Sequence, residues 1–254
     1  MRFQLYSDLH CDFFEDKGQA LCESFPVLCD TVVIAGDLAE GSRLFKPYSI
    51  LCERFKNVIA VNGNHDYYNL KRGELHNKLQ KLAHRYPNFH WLNCSSVEIE
   101  GVRFHGATLW FPDHPMNDVY RGHLADFGHI INFVPWVYEE HRKAVAFFRE
   151  AVQPGDVMIT HHMPSYACVS DRFRGSPYNR FYVGDIESTI RVNQPSVVCS
   201  GHTHDPYDFT FHDSRLVANP HGYITESRPD FRLDLVIEIP GAQKTAEGGS
   251  PLGG

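Results

Sequence analysis

Nowhere does the chain carry an apolar run near the roughly 18 residues that a membrane-spanning helix needs. Its first apolar stretch is cut at Asp8 and His10 before a signal-peptide core could form, so a soluble, cytoplasmic protein is expected. Positive charge is also short: the formal net charge is −7. This excludes holding nucleic acid or an anionic membrane by bulk electrostatics, while leaving a local basic pocket open. The seven cysteines (11, 22, 29, 52, 94, 168 and 199) show no CxxC spacing. They read as reduced thiols, several of them buried, and not as a metal or disulfide framework. GxSxG, Walker, HExxH and GxGxxG motifs are missing too, which removes the catalytic schemes built on them.

What remains is an ordinary globular composition, 43% apolar and 22% charged over 254 residues, enough for one large domain. Histidine is abundant, at sixteen, and its placement matters more than its number. Short apolar runs at 2–7, 31–35, 57–61, 156–160 and 195–200 suit strands buried on both faces. Helical spacing lies between them: Leu44, Ile50, Leu51 and Phe55; Leu75, Leu79 and Leu82; Val145, Phe148 and Val152. The alternation predicts βαβ units and a largely parallel sheet. Residues 96–110, broken at Glu100-Gly101, read as a hairpin. Residues 207–212, 215–219 and 232–239 read as strands of a second sheet. The domain is expected to span 1–240, with cap-like insertions at 111–136 and 165–182 and a Gly/Ser-rich tail at 241–254.

Each apolar run is followed by a distinctive polar group. Asp8-Leu9-His10 follows the first, Gly36-Asp37 the second and Gly63-Asn64-His65-Asp66 the third. His161-His162 and Gly201-His202-Thr203-His204 follow the later two. Ligands of α/β sheets bind outside the carboxyl ends of the strands, so these residues are expected along one edge of one sheet. Carboxylate, amide and imidazole donors without cysteine suit hard or borderline divalent metals. Seven ligands are too many for one zinc and right for two metals sharing a carboxylate. If extended, the i, i+2 pairs 8/10 and 202/204 each point to one side. Gly36, Gly63 and Gly201 are expected to admit a close approach that a Cβ would block.

The order D-x-H, GD, GNHD, HH and GHTH resembles the calcineurin-like metallophosphoesterases. "GATLW" at 106–110, "THHMPS" at 160–165, "GHTHDPYD" at 201–208 and "NPHGY" at 219–223 are similar to the small single-domain bacterial members. The likeness covers nearly the whole chain up to about residue 239. One departure is Glu40 in "GDLAE", where many members have a second aspartate that is not a metal ligand. The resemblance implies an α/β fold, a four-layer αββα sandwich of two mixed β-sheets flanked by helices, with a dinuclear metal site. It implies that Asp8, His10 and His204 hold one metal, that Asn64, His161 and His202 hold the second, and that Asp37 bridges them. The choice of His161 over His162 rests on the family pattern.

The expected activity is hydrolysis of phosphodiesters or activated monoesters by a hydroxide held between two divalent cations, Mn²⁺ first, with Fe or Zn²⁺ as alternatives. His65 is the expected general acid, and Asp66 is expected to orient it and raise its pKa. His162, Arg172 and Arg180 are candidate substrate contacts; solvated loop residues are the plainer reading of these arginines and of Arg174. For His114, His123 and His129 a solvated or core-satisfied histidine outweighs a place at the mouth of the site, and for Trp110, Phe111 and Trp136 packing of the cap outweighs stacking on a base or aryl group. Asn179, Tyr182 and His221 receive no role. The expected partner is a small phosphoester, with neither a membrane nor stably bound nucleic acid. A nuclease acting on short oligonucleotides and a non-catalytic scaffold are the alternatives.

Overall fold

The short β-branched runs become strands buried on both faces, as their composition requires. In the computed structural model, which describes residues 1–226 and 230–239, the strands are β1 (Arg2–Tyr6), β2 (Thr31–Ala35), β3 (Asn57–Val61), β4 (Phe89–Trp91), β5 (Ser95–Ile99), β6 (Val102–Gly106), β7 (Val157–Ile159), β8 (Val197–Ser200), β9 (Tyr207–Phe211), β10 (Ser214–Ala218) and β11 (Val236–Glu238). The helices are α1 (Gln19–Ser24), α2 (Phe45–Arg54), α3 (Arg72–Arg85), α4 (Asn117–Tyr120), α5 (Asp126–His129), α6 (Val134–Ala151) and α7 (Glu187–Asn193).

Two sheets form, in the orders β11-β1-β2-β3-β4 and β5-β6-β7-β8-β10-β9. Both are mixed. β1 to β4 run parallel, with β11 antiparallel to β1. In the second sheet β6, β7, β8 and β10 run parallel, with β5 and β9 antiparallel at the edges. Side chains alternate across β2. Val33 and Ala35 enter the layer between the sheets with Phe3, Phe104, Ile159 and Val217. Val32 and Ile34 face Leu51, Leu75 and Leu79 of the helices outside. Met158, Val198 and Leu216 meet Phe148 and Ile190 on the far side. The result is a four-layer αββα sandwich.

Two expectations need correction. β11 does not join the second sheet: it closes the first by pairing with β1, and it is shorter than the apolar run 232–239. A strand's partner is fixed by distant chain geometry, which its own pattern does not encode. Nor do the five motif-bearing strands share one sheet. β1, β2 and β3 lie in the first, β7 and β8 in the second. Within the insertion at 111–136, Phe111, Phe133 and Trp136 are buried in the core. The expected tail, 241–254, lies outside the described residues. Among the described residues no helix is long and apolar enough to cross a membrane.

Candidate metal centre

The two sheets end side by side, and the loops leaving them converge. Asp8 and His10 follow β1, Asp37 follows β2, and Asn64 and His65 follow β3. His161 follows β7, and His202 and His204 follow β8. Asp8, His10, Asp37, Asn64, His161 and His204 are all buried. Three ligand-like groupings result: Asp8, His10 and His204; Asp37, His161 and His202; and His10, Asp37 and His65.

Asp37 stands between the first two. Its Oδ2 lies 3.4 Å from His161 Nε2 and 3.9 Å from His10 Nε2, while its Oδ1 accepts the His65 backbone N–H at 2.9 Å. On one side His10 Nε2 and His204 Nε2 face each other at 3.0 Å, and His204 Nε2 lies 3.6 Å from Asp8 Oδ1. On the other, His161 Nε2 is 3.0 Å from Asn64 Oδ1, and the His161 and His202 rings are 4.9 Å apart.

The loops reach this geometry through uncommon backbone. Asp8, His10, Asp37, His202 and His204 all have positive φ, between 43° and 73°. The extended i, i+2 explanation of the 8/10 and 202/204 pairs is therefore wrong: left-handed turns, not strand pleat, bring each pair together. Non-glycine residues persist in such conformations only when the surroundings over-determine them, and they cluster at functional sites. The glycines behave as expected. A Cβ on Gly36 would strike His161, one on Gly63 would strike the Asp37 carboxylate, and one on Gly201 would meet Asp8 Oδ2.

Neighbouring groups fix which atom each side chain presents. His161 Nδ1 donates to the Ala35 carbonyl at 2.9 Å, leaving Nε2 for the site. His204 Nδ1 donates to Glu226 Oε2 at 2.8 Å, also leaving Nε2. Asn64 Nδ2 donates to Asp126 Oδ1 at 2.7 Å, so the amide oxygen points inward. Tyr68 donates to the same Asp126 oxygen at 2.6 Å. Carboxylate and carbonyl partners of this kind are what orient metal-ligating side chains. The donor set thus fits divalent cations: lone pairs on nitrogen and oxygen converge, with the N–H groups turned away.

Protonation follows burial and pairing. Burial drives His10 and His202 well below the ordinary imidazole value and raises Asp8. Burial would also lower His161, but Asp37 beside it prevails and lifts it to about 9. Asp37 itself is held well below the usual carboxylate range: burial opposes this, and His161 and His65 outweigh it. A cation needs deprotonated ligands, so its binding would displace the proton on His161.

The candidate catalytic and substrate residues fare unevenly. His65 lines the cavity, stacks on Tyr68 with ring centres 4.3 Å apart, and has Nε2 3.0 Å from the Tyr223 hydroxyl. Asp66 does not orient it. Its Oδ2 accepts the Gly63 N–H at 2.9 Å and the Asn62 amide at 3.2 Å, so it braces the loop. His162 is fully buried under Trp110, Phe111 and the His202 ring and does not reach the cavity wall, where the expected substrate contact would lie. Arg172 lines the cavity but is gripped by Asp205. Arg180 lies off the wall, bonded to Pro177 and His114. His123, Asn179 and Tyr182 line the wall; His114 and His129 do not. Sequence reasoning missed Asp126, Tyr68 and Glu226, and gave Tyr223 no role within "NPHGY". Asp126 and Glu226 act across 62 and 22 residues, and no local pattern marks them.

The family profile of the calcineurin-like phosphoesterases matches residues 1–206, and the chain belongs to that family. It is thus a hydrolase acting on phosphate esters, from a family that depends on paired metal ions. Among individual relatives, it is 23% identical over 281 residues to "Uncharacterized protein L509" of Acanthamoeba polyphaga mimivirus, covering 94% of this chain and 97% of that one. Among solved structures, it resembles the phosphopantetheinyl hydrolase PptH from Mycobacterium tuberculosis, with a TM-score of 0.68 and 17% identity, covering 87% of this chain and 89% of that one.

Proposed function

We propose that this site hydrolyses phosphodiesters or activated phosphomonoesters with two divalent cations bound, manganese being the first choice. The observation that carries the reading is the position of Asp37 Oδ2 between two histidine-rich clusters. Asp8, His10 and His204 would hold one cation and Asn64, His161 and His202 the other, with Asp37 placed to serve both. Bound there, the pair supplies an acidified water and neutralises charge on the phosphoryl oxygens. His65 protonates the leaving oxygen from Nε2, the atom now facing the Tyr223 hydroxyl. Oxygen and nitrogen donors admit manganese, iron or zinc.

The PptH name fits a phosphate ester as substrate, although 17% identity supports the fold alone. A nuclease is disfavoured by the net charge of −7. A small phosphoester is the partner, and the seven unbridged cysteines suit the cytoplasm. The test is release of nitrophenol from bis(4-nitrophenyl) phosphate with Mn²⁺ added, then with EDTA. Turnover abolished by EDTA and restored by Mn²⁺ is expected; no chelator-sensitive turnover would favour the non-catalytic scaffold.

A further inference from the structure

Tyr223 ends the "NPHGY" segment that follows β10, a strand that supplies none of the assigned metal ligands. The segment is stitched across to the floor of the site. The His221 N–H donates to the Ser7 carbonyl and the Gly222 N–H to the Asp8 carbonyl, each at 3.0 Å. Gly222 sits at a φ of 77°, which glycine adopts without strain. The Tyr223 N–H donates to Glu226 Oε2 at 2.9 Å, the same oxygen that accepts from His204 Nδ1. The Tyr223 ring lies against His10, His204 and Phe13, with ring centres 4.5, 4.7 and 5.2 Å away. The residues that gather around the first cation therefore also fix this phenol. Its hydroxyl ends 3.0 Å from His65 Nε2, and both residues line the cavity of about 580 Å³.

His65 Nε2 is the atom assigned to the leaving oxygen. Two hydrogen-bonding groups this far apart can both reach one further oxygen, because the three then form a triangle with sides of about 3 Å. A phenol, with an ordinary pKa of about 10, stays protonated at neutral pH and can donate. In the free protein the two groups serve each other; an arriving substrate oxygen gives both a partner. Building on the phosphoesterase reading, we infer that Tyr223 is a second catalytic donor: its O–H bonds to the leaving oxygen beside His65 Nε2 and stabilises the negative charge that gathers there as the P–O bond breaks. The leaving oxygen takes its proton from His65, and Tyr223 keeps its own.

Two measurements test this. Tyr223→Phe keeps the ring and deletes the hydroxyl, so metal content should match that of the unmodified enzyme. With Mn²⁺ bound, kcat for diphenyl phosphate, followed by phenol release, should fall about 10–100-fold, the worth of a hydrogen bond to a charged oxygen. The loss should be at least about fivefold smaller for bis(4-nitrophenyl) phosphate, whose nitrophenoxide departs with less help. A role confined to packing would lower both alike. The second measurement reads the contact itself. In crystals of the Mn²⁺-loaded protein with orthovanadate, the axial oxygen that stands for the leaving oxygen should lie about 3 Å from both His65 Nε2 and Tyr223 Oη. Equal losses on the two substrates, no loss, or an axial oxygen reached by Nε2 alone would overturn the inference and leave the phosphoesterase reading intact. So would failure of the unmodified enzyme to release phenol from diphenyl phosphate, since a leaving oxygen with two donors tolerates a basic phenoxide. Absence of chelator-sensitive turnover of bis(4-nitrophenyl) phosphate would strike the phosphoesterase reading itself, and this inference with it.

Discussion

The floor and the outer wall of the cavity are built on opposite plans. The floor is made of strand ends. Asp8, Asp37, Asn64, His161 and His204 are buried and each is held in one orientation by a partner, from the Ala35 carbonyl to Asp126 and Glu226. The outer wall is made of short turns within 165–182 and the segment around Leu124, where Ser170 donates to Asp205 and Asn179 to the Phe173 carbonyl. The contrast teaches that rigid sheet edges fix the chemistry, while the loops set which molecule reaches it.

Changes at the floor should accordingly cost far more than changes at the wall. Asp37→Ala removes the carboxylate shared by both clusters. Metal content by plasma mass spectrometry should fall towards zero and turnover by about 10⁴-fold or more. Bound metals in this variant would detach the floor from its assigned role. His65→Ala should lower kcat by about 10²–10⁴-fold with both metals retained, which separates proton delivery from metal binding. Asp126→Ala frees the Asn64 amide to rotate. Metal affinity should weaken by about 10–100-fold in a calorimetric titration, with Asp126→Glu recovering part of the loss. Arg172→Ala, at the wall, breaks an ion pair with Asp205 in which the arginine is half-exposed, and its contact over the Phe173 ring. Its unfolding free energy should change by less than about 1 kcal/mol in urea titration. A weakening of metal affinity by Arg172→Ala as large as that by Asp126→Ala would erase the distinction between floor and wall.

The floor was legible because each strand ends in its own short motif, and the glycines at 36, 63 and 201 stand where a Cβ would strike a site side chain. The fold class was legible for the same reason: two-sided apolar runs demand layers on both faces. What sequence could not give was everything set by distant chain. The split of β1–β3 and β7–β8 between two sheets, the pairing of β11 with β1, and the reach of Asp126 to Asn64 depend on contacts with no local period. The left-handed backbone at Asp8 and His10 was hidden because aspartate and histidine carry no glycine-like mark of positive φ. Asp66 misled for a simpler reason: adjacency to His65 suggested contact, but its carboxylate turns back to Gly63 and Asn62.

The most direct test of the paired-cation centre is anomalous diffraction from crystals equilibrated with Mn²⁺. Two peaks per chain are expected: one bonded by Asp8, His10 and His204, the other by Asn64, His161 and His202, with Asp37 touching both. A single peak, or peaks away from these seven side chains, would contradict the assignment.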